Sequence, residues 1–249
     1  MTRKFVENVK HIKDRDGVIV AVLVDDSFTS EDIERHVMLG MGVAEIRIDL
    51  FNNFETDHII KEIAKFASIS TLATIRKISD GGKWDKPEAE RIEIFKALHP
   101  HVGAVDVELS EPETLKTLGP VLQDSNCDLV GSYHNFEKTP DIEKLSELIE
   151  QAKEVNAAAV KIACKVNNED DNARLALLFN QDHDIPLIII GIGPVGMPTR
   201  ISFPALGSLL TYSPSDKILA EYGQVSFSTM VEMLQVLYPD FRRFKNLTR

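Results

Sequence analysis

The chain has 249 residues, 43% hydrophobic and 27% charged, a mix that supports a sizeable core without staples. Its 39 acidic residues outnumber 28 basic ones, and the net charge of −11 argues against nucleic acid or an anionic membrane as a general partner. With only two cysteines, no apolar run near the about 18 residues of a membrane span and no apolar signal core at the start, a cytoplasmic protein is expected.

Residues 1–17 precede the first strand-like run and read as an N-terminal extension. Short apolar runs rich in Val and Ile then recur at 18–24, 43–50, 71–76, 104–109, 128–134, 158–164, 186–192 and, most weakly, 207–212. Their length and β-branched content predict buried strands. Helix-period segments fill the gaps. Gly40 and Gly42 are expected to end the first helix and turn it into the second strand. Residues 55–67 place Ile59, Ile60, Ile63 and Ala67 on one face. Ser110 to Glu113 reads as a capping box opening a helix through Leu115, Leu118 and Leu122. Thr139 is expected to cap the next helix ahead of Pro140, with Leu145, Leu148, Ile149 and Ala152 on its apolar face. Residues 225–238 form the last helix, closed by Pro239.

Eight strand–helix units of about 30 residues each predict a single α/β domain, a closed (β/α)8 barrel. An open dinucleotide-binding sheet would carry a glycine-rich turn after the first strand, whereas Asp25 to Thr29 contains no glycine. The extension before the first strand is then expected to form a hairpin or a lid across the barrel bottom.

Barrel active sites lie at the C-terminal strand ends, and side chains two apart share a face. That reading brings together Glu45, Arg47 and Asp49; Thr74 and Arg76; Asp106 and Glu108; Ser132 and His134; and Lys161. Charges aimed into a barrel are costly unless paired, so this polar set marks a site or an ion-pair network. Lys161 interrupts the apolar run AAAVKIAC. In an apolar slot its amine would become available for attack on a ketone; paired with Glu45 or Glu108 it would stay unreactive. His134, at a strand end, suits general acid/base work beside such a lysine. The glycine-rich loop leading to Arg200 fits either a phosphate cradle or a carboxylate clamp. Cys127 and Cys164 have no partners at metal-ligand spacing and read as core.

The stretches EIRID (45–49), TIRKISDGG (74–82), DVEL (106–109), SYHNFEKTP (132–140), VKIA (160–163), GPVGMPTRI (193–201), GSLLTY (207–212) and YGQVS (222–226) resemble, in order, type I 3-dehydroquinase. The resemblance implies dehydration of 3-dehydroquinate to 3-dehydroshikimate in the shikimate pathway, with no metal or organic cofactor. It implies Lys161 as the Schiff-base nucleophile and His134 as the acid/base of a syn elimination, with Glu45 beside them. It implies substrate contacts from Glu45, Arg47, Arg76, Asp80, Arg200, Tyr212 and Gln224. Family members are often homodimers. Three positions depart from the family pattern: 219–224 reads LAEYGQ where the family reads Ser-Ala-Pro-Gly-Gln or similar, Asp80 replaces a common glutamate, and Thr199 replaces serine. Two other readings would keep the motif set: a Schiff-base aldolase or transaldolase acting on a sugar phosphate, and a barrel that binds such a ligand without turning it over.

Overall fold

The computed structural model describes residues 4–241 other than 222. Among them run α1 (Phe5–Asp16), β1 (Val20–Val24), α2 (Ser30–Leu39), β2 (Met41–Arg47), α3 (Thr56–Ala64), β3 (Ser70–Thr74), α4 (Glu88–Leu98), β4 (Ala104–Glu108) and α5 (Pro112–Gln123). There follow β5 (Asp128–Asn135), α6 (Ile142–Glu154), β6 (Ala159–Lys165), α7 (Glu169–Leu177), β7 (Leu187–Ile192), α8 (Thr199–Leu206), β8 (Thr211–Pro214) and α9 (Phe227–Leu237). Each parallel strand pairs with its chain neighbour from β1 to β7, and β8 joins the free side of β1. β7 and β8 make no strand pair. The seam between them is bridged by Leu209 N donating to Leu187 O at 2.8 Å and by Ile189 N donating to Ser208 Oγ at 3.2 Å. The result is the expected α/β barrel, nearly closed.

Alternation along the strands divides the apolar residues into two cores. Val22, Ile46, Ala73, Val107, Ile162 and Ile189 face outward and pack under the helices. Ala21, Val43, Leu72, Ala104, Val130, Ala159 and Ile188 fill the interior. The extension forms a helix where a hairpin was one expectation. α1 sits on that inner core through Phe5, Val6 and Val9. It is pinned to the strands' starts by Val6 N to Asp128 Oδ2 at 2.9 Å and Asn8 Nδ2 to Ser70 Oγ at 2.6 Å. The N-terminal mouth is thus closed with apolar residues, which leaves the polar layers to the other end.

Local signals explain most helix ends. Thr29 and Asp32 form a reciprocal capping box on α2, and Gly40 ends that helix at φ 111°, a conformation glycine adopts without steric cost. Two capping expectations are corrected. α6 is capped by Asp141, whose carboxylate accepts from Lys144 N, because the Thr139 hydroxyl donates to Lys165 O instead. α5 starts with Pro112 at its first turn and Glu111 as cap, without a side-chain capping bond from Ser110. The weakest strand shifts as well. Leu209 and Leu210 lead in, and β8 proper is Thr211–Pro214. The second and third runs stop short of their expected ends, at Arg47 and Thr74, and continue as turns.

Candidate active site

A cavity of about 650 Å³ opens at the C-terminal ends of the strands. Lys161, from the middle of β6, stands in its floor, buried, with Nζ 2.9 Å from Glu45 Oε1 and 3.2 Å from Asp106 Oδ2. The ammonium also lies 4.2 Å from the centre of the Tyr212 ring, a cation–π contact. Thr74 donates to Glu45 Oε1 at 3.0 Å and holds it in place. The slot is therefore not apolar: two carboxylates and an aromatic face surround the lysine. The apolar slot is thus corrected to the alternative, a paired lysine: Glu45 is one partner, and Asp106 takes the place considered for Glu108.

Glu108 is engaged elsewhere. Its Oε1 accepts from Arg76 Nη1 and its Oε2 from Arg91 Nη1, each at 2.6 Å. Arg76 Nη2 donates to Asp106 Oδ1 at 2.6 Å, and Ser132 bonds both groups. Burial disfavours the charge on Arg76, yet Asp106 and Glu108 outweigh it and hold the guanidinium charged. Burial likewise pushes Asp106 upward, but Arg76 and Lys161 overcome that and keep its carboxyl well below the usual range.

His134, at the end of β5, lines the same cavity and is partly open to it. Its ring stacks on Phe136 at 6.4 Å between centroids, and its buried Nδ1 has no hydrogen-bond partner. Burial, then Arg76 and Lys161, hold its pKa well below the ordinary value against the opposing pull of Asp106. At neutral pH it is an uncharged base.

The opposite wall is built differently. Arg200, in the first turn of α8, is buried and donates through Nη1 to Tyr212 O at 3.2 Å. Its Nε has no partner, and among the described residues no carboxylate lies within 4 Å of it. Burial alone pulls its pKa down to about 10. The preceding loop is packed on itself. Thr199 Oγ1 accepts from Gly191 N at 2.8 Å and donates to Gly196 O at 2.7 Å. A side chain at Gly191 would meet the Gly196 backbone at 2.8 Å, which requires the glycine. The Tyr212 hydroxyl is also buried without a partner, and burial, with Glu45 and Asp106, pushes its pKa well up.

The remaining expected site residues stand at the mouth. Arg47 is held bidentately by Asp49 at 2.9 and 2.7 Å, and Asp49 also accepts from Lys83 N at 3.1 Å. Asp80 lines the cavity from a short 3-10 turn and accepts from Ser79 Oγ at 2.6 Å. Gln224 lines it from the β8–α9 loop, its side-chain oxygen accepting from Glu221 N at 3.2 Å. Tyr222, within the YGQVS stretch, lies outside the described residues. The cavity thus gathers Glu45, Arg47, Arg76, Asp80, His134, Lys161, Arg200, Tyr212 and Gln224.

Two participants were not assigned a role from sequence. Asp106 was placed on the inner face of β4 but not beside Lys161. Arg91 carries no expected role, although a signal exists: it occupies the apolar stripe of α4 with Ile94, Phe95 and Leu98. Cys127 and Cys164 are buried as expected, and burial pushes both thiols up to about 12. No group of three or more His, Cys, Asp or Glu among the described residues could hold a metal ion.

The sequence matches the family model described as type I 3-dehydroquinase over residues 19–240. A 3-dehydroquinate dehydratase of Thermodesulfovibrio yellowstonii is 34% identical over 221 residues, 88% of this chain and 95% of that protein. One from Methanococcus maripaludis is 30% identical over 222 residues, covering 88% and 99% respectively. The crystal structure of the Aquifex aeolicus 3-dehydroquinate dehydratase superposes with a TM-score of 0.78 at 28% identity, over 89% of this chain and 99% of that one. By its motifs, its barrel and these relatives, the chain belongs to the type I 3-dehydroquinase family.

Proposed function

We propose that this protein dehydrates 3-dehydroquinate to 3-dehydroshikimate in the shikimate pathway, through a Schiff base on Lys161. The observation that carries this reading is the joint placement, in one cavity, of a lysine, an uncharged histidine and an arginine without a counter-ion. A ketone, a proton to be moved and a carboxylate are the three features of the substrate that such groups would engage.

Arg200 takes the substrate carboxylate, which gives its buried guanidinium the anion it lacks. The ketone carbon then lies toward Lys161. Attack requires the free amine, so a proton first leaves the ammonium, and His134 is the neutral base in the cavity to receive it. The amine adds to the C3 carbonyl, His134 returns its proton to the carbinolamine hydroxyl, and that group leaves as water, which gives a protonated imine and restores the neutral histidine. Charge is conserved in this exchange. Glu45 and Asp106 pair with the iminium as they paired with the ammonium. The iminium withdraws electrons from C2, His134 removes the C2 proton, and an enamine forms. His134 then returns a proton to the leaving hydroxyl, and the C–O bond breaks as the ring gains its double bond. Delivery and removal by one group is what a syn elimination needs. Hydrolysis of the remaining imine frees Lys161. Arg47, Arg76, Asp80, Glu45, Tyr212 and Gln224 contact the ring and its hydroxyls.

Turnover of 3-dehydroquinate, followed by the ultraviolet absorbance of the conjugated enone product, tests the proposal. The expected result is steady production in the presence of a metal chelator. A folded protein that makes no enone overturns it. A sugar phosphate cleaved in its place would favour an aldolase, and a thermal shift with dehydroquinate but no product would favour a binding barrel.

A further inference from the structure

We propose that Arg91, outside the barrel on α4, is a positioning residue for Lys161, acting through Glu108, Arg76 and Asp106. This role rests on Lys161 being the nucleophile. Arg91 does not line the cavity. Its side chain is fully buried and donates to Glu108 Oε2 at 2.6 Å, to Ile75 O at 2.8 Å and to Glu88 Oε1 at 2.9 Å. Glu88 is in turn held by Thr114 from α5 and faces Lys77 at 3.7 Å, so the far end of the chain is anchored at the surface.

Inward from Arg91 the charges alternate without a break: Glu108, Arg76, Asp106, Lys161 and Glu45. Three cations meet three carboxylates, and the set is neutral. A buried arginine in an apolar stripe is a costly way to fill space, since well-packed apolar residues often replace buried ion pairs without loss. What it does supply is charge balance. With Arg91 present, Glu108 is neutralised from both sides and Arg76 keeps one amino group for Asp106. Without it, Glu108 draws on Arg76 alone. Asp106 then holds the Lys161 ammonium more strongly, and less free amine is available. Removing the charge of Glu108 acts in the opposite direction.

Reductive methylation of Lys161 by formaldehyde and cyanoborohydride, read by peptide mass at fixed pH, measures amine availability without any substrate. Arg91→Met is expected to slow the reaction by about threefold or more, and Glu108→Gln to speed it by a similar factor. Should Arg91→Met alone fail to fold, the same substitution made on top of Glu108→Gln leaves no fully buried carboxylate without a partner, and because the chain runs through the Glu108 charge it must leave the Glu108→Gln rate unchanged. Single variants whose rates match wild type, or that both fall, overturn the proposal, and so does a double variant slower than Glu108→Gln. Because the readout needs no turnover, a failure of the dehydratase reading would show separately, in the enone assay.

Discussion

Arg76 and Arg200 stand in opposite walls of one cavity, both buried, in contrasting company. Arg76 is paired: Asp106, Glu108 and Ser132 engage both its terminal nitrogens. Arg200 has a single carbonyl, an unpartnered Nε and no carboxylate, and burial pulls its pKa down to about 10. The fold has stabilised one guanidinium and left the other waiting for an anion. A paired buried cation holds the wall together; an unpaired one marks where a ligand completes the electrostatics.

Removing each arginine should break this comparison in opposite ways. Arg76→Met leaves Glu108 with Arg91 alone and Asp106 with Lys161 alone, both buried, and should destabilise the fold by about 3–5 kcal/mol, measured by urea denaturation. Arg200→Met removes a lone buried charge and should leave stability equal or higher. Similar losses from both would show that Arg200 has a structural partner after all. On activity, His134→Ala should lower kcat by on the order of 10² to 10⁴, the usual loss for a general acid/base. A variant within a few-fold of wild type would remove His134 from the mechanism. Arg200→Met should raise KM by about 100-fold, the scale for deleting one partner of a buried charge pair. If kcat falls with KM unchanged, the carboxylate is bound elsewhere.

The smallest effect comes from pH. His134 is held well below its ordinary value, so the folded protein binds fewer protons than the unfolded chain below about pH 6.5. Stability should therefore fall as the pH drops through that value and be unaffected above it. Asp106, held low by its cations, gives full stabilisation above about pH 4 and loses it below. Between about pH 7.5 and 5.5, His134→Gln should reduce the loss of stability by about 1 kcal/mol. Identical slopes for wild type and variant would contradict the buried, neutral histidine. His36, also lowered by burial and packed between Phe28 and Phe227, would then be the group to examine.

Much of this architecture is legible in the sequence because parallel strands buried on both faces read as apolar runs. Lys161 and Asp106 stand out for the same reason, as charges in runs that have no surface. The strand ends were less legible. Strands two and three end where Arg47 and Thr74 give way to turns, a change that side-chain alternation does not register. Thr139 departs from its expected capping role because its hydroxyl has a tertiary partner, Lys165 O, that local spacing cannot reveal. The pairing of Lys161 with Asp106 depends on which inward layers of β4 and β6 meet across the barrel, and strand periodicity fixes faces, not heights. Arg91 reaches Lys161 only through three intervening side chains, and helix periodicity marks it as unusual without saying what it touches.

The central claim is that Lys161 bonds covalently to a ketone in this cavity. Mixing the protein with 3-dehydroquinate, reducing with borohydride, digesting and weighing the peptide that carries Lys161 tests it most directly. A ligand-sized mass gain on that lysine, lost in Lys161→Ala, is the expected result. An unmodified peptide from a protein that still produces the enone would contradict it.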